Sequence, residues 1–598
     1  MTNLKTRKSK TFHHPQRYLT KKLELRSQNE DLNVQAACLL KYFPKYYKNL
    51  DINLSSSRAC FVISKLRQTK MIENLTLEGT DAKNLNKLEQ SVFRNKRKLV
   101  KSLPSIQTSN EYTNSIYRPQ ISTFFPKITS LDLCLMSELN DIQMESTFID
   151  RKLEPKIWRS YAYFWKGFQY LKHLEMANCN SHFWLIIRQV NSLPNLLSSL
   201  ETLKLFLAFQ CDPQSHSLVR DILGELNRNG SFLRRVTHLD CQDFGTLHYY
   251  DDLMGSVLAH CPKLVSLNFL IGREAQYYPD ISEIYKEHGG LEVFKQLERM
   301  NSLKTLNVSA YGLKSFVKYF SVPKSVKKLV LYVGHSFYNL SFLDLFQDPE
   351  NRFFERWNGL QNLQTLKLKM RMIEGPNDLF HKFINPLLEA LPNCLKKLRL
   401  EIAGSPAFYW KNCRAIDLSL LLENKSPALK QLESLKILAD SLKMELEPNK
   451  ALKFLNLKKL AIDGKIFDWF DFESCFQLLP EKTFKTFKLS TLTFESIQLF
   501  RNFIKLIKKE MRQGNLALNL KIRVFIKSFQ EVFDQFKIPI DLKGANVNLE
   551  IILMSPAGSD IISRLSKSRK NEFERIFGSF DLSLNQRIAD CYKRTKLI

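Results

Sequence analysis

A short hydrophobic pattern recurs along most of the chain in the form apolar-x-x-Leu-x-apolar, as in Leu200-x-x-Leu203-x-Leu205. Residues two apart point to the same face of a strand, so Leu203 and Leu205 predict a short strand and Leu200 lies in the turn before it. The middle Leu of the clear copies falls at Leu75, Leu131, Leu174, Leu203, Leu239, Leu267, Leu306, Leu329, Leu366, Leu398, Leu435, Leu460 and Leu492, with weaker copies around Leu23, Leu50, Leu520 and Ile551. The spacing averages about 35 residues, which is typical of a repeat protein.

Helical periodicity separates many of these strands. Apolar residues three or four apart predict helices at Asp31–Phe43, Ser57–Lys70, Ser215–Asn227, Tyr250–His260, Pro376–Leu391 and Ile497–Arg512. A single strand–turn–helix unit cannot cover its own apolar face, so neighbouring units must stack. The pattern therefore predicts one elongated array with a parallel sheet inside and helices outside.

The repeats resemble those of the leucine-rich repeat family, and among these the ribonuclease-inhibitor-like strand–helix form. The segments that lead into the strands add to the likeness: Leu193-Pro194-Asn195-Leu196, Cys261-Pro262-Lys263-Leu264, Leu360-Gln361-Asn362-Leu363 and Leu391-Pro392-Asn393-Cys394. The resemblance implies an α/β leucine-rich repeat solenoid, a horseshoe with a parallel inner sheet and outer helices. The family's Asn or Cys after the strand is matched by Cys179 but replaced elsewhere, for example by Met136 and Arg371, so we expect irregular repeats.

The repeat spacing also predicts the domain organisation. Residues 1–18 form a basic arm, 19–500 the solenoid, and 501–598 degenerate repeats that end in a cap. The long step between Leu75 and Leu131 indicates a basic insertion at about 82–122, with an amphipathic helix near Leu85–Leu103.

Composition fits a folded, strongly basic protein. The chain has 598 residues, 44% of them hydrophobic, and 89 Lys and Arg against 60 Asp and Glu give a net charge of +29. Two interpretations of that charge stay open: a surface for polyanions, or a compositional bias that also raises Phe to 43 residues. We expect no secretory signal and no membrane span, and eleven scattered Cys indicate reduced thiols, so the predicted compartment is cytoplasmic or nuclear.

Motifs for chemistry are missing from the sequence. It contains no phosphate-binding glycine loop, no nucleophile elbow and no HExxH metal motif. The densest group of metal-ligand residues comprises His238, Cys241, His248, His260 and Cys261, and its spacing favours core packing over a metal site. The sequence predicts a protein that is not an enzyme and has no cofactor, metal or small-molecule substrate.

The candidate binding surface is the concave face of the sheet, formed by the positions beside the middle Leu of each repeat. In the first half these positions carry Glu24, Asp51, Glu78, Asp132, Glu175 and Asp240 against Lys22, Arg26 and Lys204. In the second half they are mainly basic, and the candidate partner-binding residues are Lys328, Tyr332, Lys367, Lys369, Lys397, Arg399, Lys436 and Lys459. Four apolar residues on this face are candidate anchors: Phe206, Val330, Tyr332 and Leu438.

A protein–protein interaction scaffold with protein partners, among them acidic ones, is the function that the solenoid implies. Ribonuclease-inhibitor-like repeats often follow an F-box, so a substrate-recognition subunit of a ubiquitin ligase is one alternative, although no F-box opening precedes Leu23. A nucleic-acid-associated protein is another, since Arg94–Lys101 and the second half of the concave face are basic.

Overall fold

The structure is a computed structural model of the whole chain. It describes residues 21–25, 47–53, 74–78, 129–134, 170–177, 187, 197–207, 213–243, 250–270, 291–311, 314–334, 344–372, 379–404, 416–422, 426–444, 454–470, 486–493, 505–506, 509, 520–526 and 547–553. The chain divides into two compact units, Met1–Glu274 and Ala275–Ile598. The predicted helices at 31–43 and 57–70, the basic arm, the 82–122 insertion and the C-terminal tail lie outside the described residues.

Most of the strands coincide with the hydrophobic repeats. In the first unit they are β1 (Lys21–Leu25), β2 (Tyr47–Asn53), β3 (Asn74–Glu78), β4 (Ser130–Cys134), β5 (His173–Ala177), β6 (Thr202–Leu207), β7 (His238–Asp243) and β8 (Ser266–Leu270). In the second unit they are β9 (Thr305–Tyr311), β10 (Lys328–Gly334), β11 (Thr365–Met372), β12 (Lys397–Gly404), β13 (Ile416–Asp417), β14 (Ser434–Met444), β15 (Lys459–Phe470), β16 (Thr486–Thr493), β17 (Leu520–Ile526) and β18 (Val547–Leu553).

Every described strand pairing is parallel, and the repeat leucines stand opposite one another. In the first unit, for example, Leu203 aligns with Leu174 and Leu239. In the second unit, Leu366 aligns with Leu329 and Leu398. The predicted fold class, α/β with a parallel sheet built from repeated strands, is confirmed.

One repeat marker is wrong. The structure aligns Leu460 with Phe487 and Ile462 with Leu489, so the repeat position is Phe487 and not Leu492. Leu489 and Leu492 lie in the same strand β16, and a register irregularity falls between them where β16 pairs with β17. Apolar residues alternate in two pairs here, Phe487 with Leu489 and Leu492 with Phe494, and periodicity alone could not select which pair aligns with the repeat.

Helices connect strands of both units. They are α1 (Pro213–Asn229), α2 (Tyr250–Ala259), α3 (Leu291–Glu298), α4 (Lys314–Tyr319), α5 (Asn385–Ala390), α6 (Ser419–Leu422) and α7 (Pro427–Lys430). The predictions at Ser215–Asn227 and Tyr250–His260 are confirmed by α1 and α2. The prediction at Pro376–Leu391 corresponds to a π-helix, Phe380–Ile384, that continues into α5. No described helix is long and apolar enough to cross a membrane.

The segments that lead into the strands form a repeated turn. The N–H of Leu264 donates to the carbonyl of Cys261 at 3.2 Å, and that of Leu363 to Leu360 at 3.2 Å. The start of each strand is then hydrogen-bonded to the preceding repeat. One carbonyl of the preceding repeat accepts from two successive N–H groups at the start of the strand. The carbonyl of Lys327, for instance, accepts from Gln364 at 2.9 Å and from Thr365 at 3.0 Å. These bonds satisfy buried backbone groups and fix the register of neighbouring repeats.

Polar side chains in these turns add a second tie between repeats. The Ser325 hydroxyl donates to the Leu303 carbonyl at 2.8 Å, and Asn362 Nδ2 donates to the Lys324 carbonyl at 3.0 Å. The Cys394 thiol, at the equivalent position of the next repeat, lies 3.3 Å from the Leu363 carbonyl. The resemblance predicted polar residues after each strand, and the side chains at those positions lie outside the described residues. The polar residues seen here, Ser325, Asn362 and Cys394, precede their strands.

The core of the second unit combines strand leucines with an aromatic cluster. Leu329, Leu366 and Leu398 are at most 1% exposed. Behind the sheet, Phe316 stacks on Phe320 with ring centroids 4.5 Å apart. Further members of the cluster are Phe294, Phe346, Phe353, Trp357 and Phe383. The high Phe content thus contributes to packing between the connecting segments of adjacent repeats.

Strand β13 was not predicted. It pairs with the far end of β14, where Ile416 aligns with Leu442, and the same extension of β14 aligns with residues of β15. Strands β14 and β15 have 11 and 12 residues, longer than the repeat motif requires. A small second ladder therefore continues beyond the main repeat register at this point.

Candidate partner-binding face

The candidate surface, here called the lysine face, is the exposed side of strands β10, β11, β12, β14 and β15. Burial alternates along β11, β12 and the first part of β14 as the period of two requires. In β11, Leu366, Leu368 and Met370 are buried, whereas Lys367 and Lys369 are partly exposed. The polar residues of the repeat motif consequently share the exposed side of the sheet.

Strand register arranges the lysine face, together with the adjoining positions on β9 and β16, in three rows. The first row runs Thr305, Lys328, Thr365, Lys397, Ser434, Lys459 and Thr486. The second runs Asn307, Val330, Lys367, Arg399, Lys436, Ala461 and Lys488. The third runs Ser309, Tyr332, Lys369, Glu401, Leu438, Asp463 and Ser490. All eight residues predicted to bind a partner lie in these rows, with neighbouring strands about 4.8 Å apart.

Three of those residues converge on Glu401. Lys367 Nζ lies 2.8 Å from Glu401 Oε1, and Lys369 Nζ lies 3.7 Å from Glu401 Oε2. The Arg399 guanidinium also contacts Glu401 Oε1. Lys369 Nζ in addition donates to the Tyr332 hydroxyl at 3.0 Å and lies 4.5 Å from the centre of the Tyr332 ring. Three cations and one carboxylate thus share one part of the face, which leaves it with a net charge of +2.

The environment adjusts the pKa values in this cluster. Burial by itself raises the pKa of Glu401, but the hydrogen bond from Lys367 and the charges of Lys367, Arg399 and Lys369 outweigh it, so the pKa is lowered. Burial lowers the pKa of Lys367. Burial acts in the same sense on Lys369, but its hydrogen bond to Tyr332 reverses the effect and raises its pKa. Glu401 is consequently ionised at neutral pH.

The first row holds the most accessible charges. Lys328, Lys397 and Lys459 are exposed and occupy β10, β12 and β15, and they form no ion pair within the described part of the chain. Between them the register places the hydroxyl residues Thr365 and Ser434. Among the residues that the structure describes, these three lysines have no counter-ion, which leaves them available to an external anion.

Apolar anchors are fewer than predicted. Tyr332 and Leu438 are half-buried on the face, and so is Phe206 on β6 of the first unit. The prediction for Val330 is wrong, because its side chain is only 6% exposed although it occupies an outward position. Ser309, in the third row on the adjoining strand β9, is 0% exposed. The face is therefore interrupted by buried positions, among which Ala461 on β15 is 2% exposed.

The first unit carries the opposite charge pattern at equivalent positions. Its register brings Glu24, Asp51, Thr76, Asp132, Glu175, Lys204, Asp240 and Asn268 into one row. Lys204 Nζ lies 2.8 Å from Glu175 Oε2, and Asn268 Nδ2 donates to Asp240 Oδ1 at 2.6 Å. The acidic and basic halves predicted from the sequence accordingly fall largely in different units.

Two cysteines of the group of possible metal ligands, Cys241 and Cys261, are packed in the core. Cys241 and Cys261 are 0% exposed. Burial raises the pKa of Cys241 well above its ordinary value and that of Cys261 to about 12. Burial also lowers the pKa of His260. The described residues contain no group of three or more His, Cys, Asp or Glu that could hold a metal.

Comparisons with known proteins add little. No protein-family model matches the chain, and no curated protein matches it. Among solved structures, that of the yeast Rad7 and Elc1 complex matches 74% of this chain and 93% of that chain, with 14% sequence identity and a TM-score of 0.26. So low a TM-score carries no argument about what this protein binds or does.

Proposed function

We propose that the protein is a non-catalytic interaction scaffold whose lysine face binds an acidic segment of a protein partner. The observation that carries the proposal is the row of Lys328, Lys397 and Lys459, three exposed cations without an internal counter-ion within the described residues. They stand on the rigid strands of a repeat array, which holds them at fixed spacings from one another. Complementary charge on a partner steers association and selects the register of binding.

The composition of the face favours a protein segment over nucleic acid. Glu401 and Asp463 occupy the third row, beside the two basic rows, and a ligand with a charge on every residue would have to place an anion near them. Single-stranded nucleic acids also use aromatic side chains for base stacking. Tyr332 is the aromatic residue of the three rows, and its hydroxyl and ring are already engaged by Lys369. An acidic protein segment can instead place neutral or apolar residues beside Glu401, Tyr332 and Leu438.

The test is reversal of the three exposed charges. The variant Lys328→Glu, Lys397→Glu, Lys459→Glu changes the net charge by six without touching the Glu401 cluster. We expect it to lose at least tenfold in affinity for a protein captured by the tagged wild-type chain, and the wild-type affinity to fall with added salt. The measurement is capture from cell extract at two salt concentrations, followed by titration of the purified partner.

A matched control distinguishes the effect of the lysine face on affinity from the effect of net charge. Lys318, Lys324 and Lys430 are exposed lysines on α4, on a turn and on α7, away from the strand face. Their replacement by Glu makes the same change in net charge and should leave affinity within about twofold. Equal losses in both triple variants would show that binding follows net charge, and the proposal would then be abandoned.

Finer assignments rest on the same proposal. We infer that the repeats are of the ribonuclease-inhibitor-like type, supported by α1 between β6 and β7 and α2 between β7 and β8. We infer a cytoplasmic or nuclear partner, supported by the free thiols of Cys241, Cys261 and Cys394. The ubiquitin-ligase and nucleic-acid alternatives stay sequence predictions. If the control variant and the wild type both bind DNA at low salt and both lose it when salt is added, that binding is non-specific.

A further inference from the structure

Glu401 has an unusual position for an acidic residue on a basic surface. It lies on β12 in the third row, beside Lys369 on β11, and its carboxylate contacts Lys367, Lys369 and Arg399. The Glu401 side chain is only 20% exposed, while the three cations keep between 20% and 38% of their side chains accessible. A partner can therefore reach Lys369 and Arg399, at 32% and 38%, more readily than the carboxylate, while Lys367 is as enclosed as Glu401 itself.

Lys367, Lys369 and Arg399 form a preassembled anion site, and the carboxylate of Glu401 already occupies it. Both Glu401 oxygens have cationic neighbours, at 2.8 Å from Lys367 and 3.7 Å from Lys369. The lowered pKa of the Glu401 carboxyl keeps its charge in place at neutral pH. An incoming carboxylate would have to share or displace these contacts and would meet repulsion from Glu401 at the same time.

We propose that Glu401 is a specificity-determining residue, an internal competitor that weakens binding of indiscriminate polyanions to the lysine face. This inference rests on the proposed function, since it names how the same face selects its ligand. A segment with separated acidic residues can engage Lys328, Lys397 and Lys459 in the first row and leave a neutral residue opposite Glu401. A uniformly charged chain cannot avoid the repulsion, and its affinity is reduced.

Glu433 provides a matched control within the same repeats. Its carboxylate lies 2.9 Å from Lys458 and 3.5 Å from Lys396, and its pKa is likewise lowered, chiefly by Lys458. It belongs to the turn that leads into β14 and lies outside the three rows. Glu401→Gln and Glu433→Gln each remove one negative charge bound by lysines, but only the first removes it from the face.

The experiment measures affinity for two uniform probes, fluorescein-labelled oligoglutamate of twelve residues and a twenty-residue oligothymidine, by anisotropy over a series of salt concentrations. We expect Glu401→Gln to bind both probes about tenfold more tightly than wild type. We also expect the slope of log affinity against log salt to steepen by about one for the oligothymidine, because one more cation exchanges counter-ions. Glu433→Gln should stay within twofold of wild type.

A second variant separates competition from a structural role. Glu401→Gln combined with Lys367→Gln restores the local charge balance, so its affinity should return to near the wild-type value, whereas a distorted face would not recover. Thermal unfolding followed by circular dichroism identifies variants that have lost their fold.

The inference is overturned if Glu401→Gln binds no more tightly than Glu433→Gln, or binds more weakly than wild type. The first result would show that the Glu401 carboxylate does not compete with the ligand for the cations. The second would show that Glu401 mainly positions the cations. If the triple variant Lys328→Glu, Lys397→Glu, Lys459→Glu binds oligoglutamate as well as wild type, the face does not take acidic ligands. That outcome rejects the proposed function together with the inference.

Discussion

Single residues between repeats decide how closely the segments pack. Gly230 begins a 3-10 helix that follows α1, and a Cβ built on it would lie 2.4 Å from Cγ of His260, the residue that follows α2. Gly224, in the middle of α1, has no atom within 4 Å of such a Cβ. The two glycines therefore have opposite roles, one required by close contact and one replaceable.

Substitution of both glycines by alanine tests this distinction. Gly230→Ala should destabilise the segment 213–235 by about 1–3 kcal/mol, because the methyl group overlaps the imidazole ring. Gly224→Ala should stabilise α1 by about 0.5–1 kcal/mol, because alanine loses less conformational entropy in an exposed helix. Hydrogen–deuterium exchange of these amides measures the local opening free energies.

A double-mutant cycle serves as the control. In a His260→Ala background the ring is gone, and Gly230→Ala should cost much less than in the wild type. Equal costs in the two backgrounds would place the strain elsewhere than at His260.

At the scale of elements, Arg356 fastens one repeat to the preceding one. Its Nε donates to the Phe320 carbonyl at 2.9 Å, and a second nitrogen donates to the Val317 carbonyl at the end of α4. A third bond joins it to the Asn351 carbonyl at 2.6 Å. Burial lowers the pKa of Arg356. The planar guanidinium thus satisfies carbonyls that the short helix leaves without partners.

Replacement of Arg356 should loosen α4 specifically. We expect Arg356→Lys to destabilise residues 314–320 by about 1–2 kcal/mol, because a lysine cannot reach three carbonyls in different directions. Faster hydrogen exchange of Lys314–Tyr319 is the readout. Arg352→Lys is the matched control, since Arg352 is exposed and its ion pair with Glu355 spans 4.0 Å, so it should have almost no effect. Unchanged exchange of α4 in Arg356→Lys would contradict the assigned role.

At the scale of the whole molecule, the described strand pairings within each unit join neighbouring repeats. Strand β12 pairs with β11 and β14, and the chain divides into two units whose strands form their own parallel ladders. In such an array stability depends on each repeat and its nearest neighbours, so damage should spread only over short distances.

A cavity in the second unit should therefore stay local. Leu398→Ala, at a position only 1% exposed, should cost about 2–5 kcal/mol and speed hydrogen exchange most in β11, β12 and β14. Strands β5 to β7 of the first unit should keep their wild-type exchange. Leu239→Ala, at 2% exposure, is the reciprocal variant and should affect β6, β7 and β8 instead. Uniformly faster exchange in both units after either change would contradict nearest-neighbour stability.

The sequence by itself determined the repeat, the strand positions and the charge rows, because the period of two and the recurring Leu are local properties of the chain. The repeat spacing alone places Lys328, Lys367 and Lys397 on the same face of the sheet. It misplaced the marker in β16, since alternating apolar residues there offered two registers and only pairing with β15 selected Phe487.

Only the tertiary structure decided which of those charges are available. The fold brings Lys367, Lys369 and Arg399 onto the carboxylate of Glu401 and leaves Lys328, Lys397 and Lys459 exposed. Val330 likewise had an outward register position and is nevertheless buried. The reason is physical: register follows from the spacing of residues along one strand, but burial and ion pairing depend on side chains from neighbouring strands.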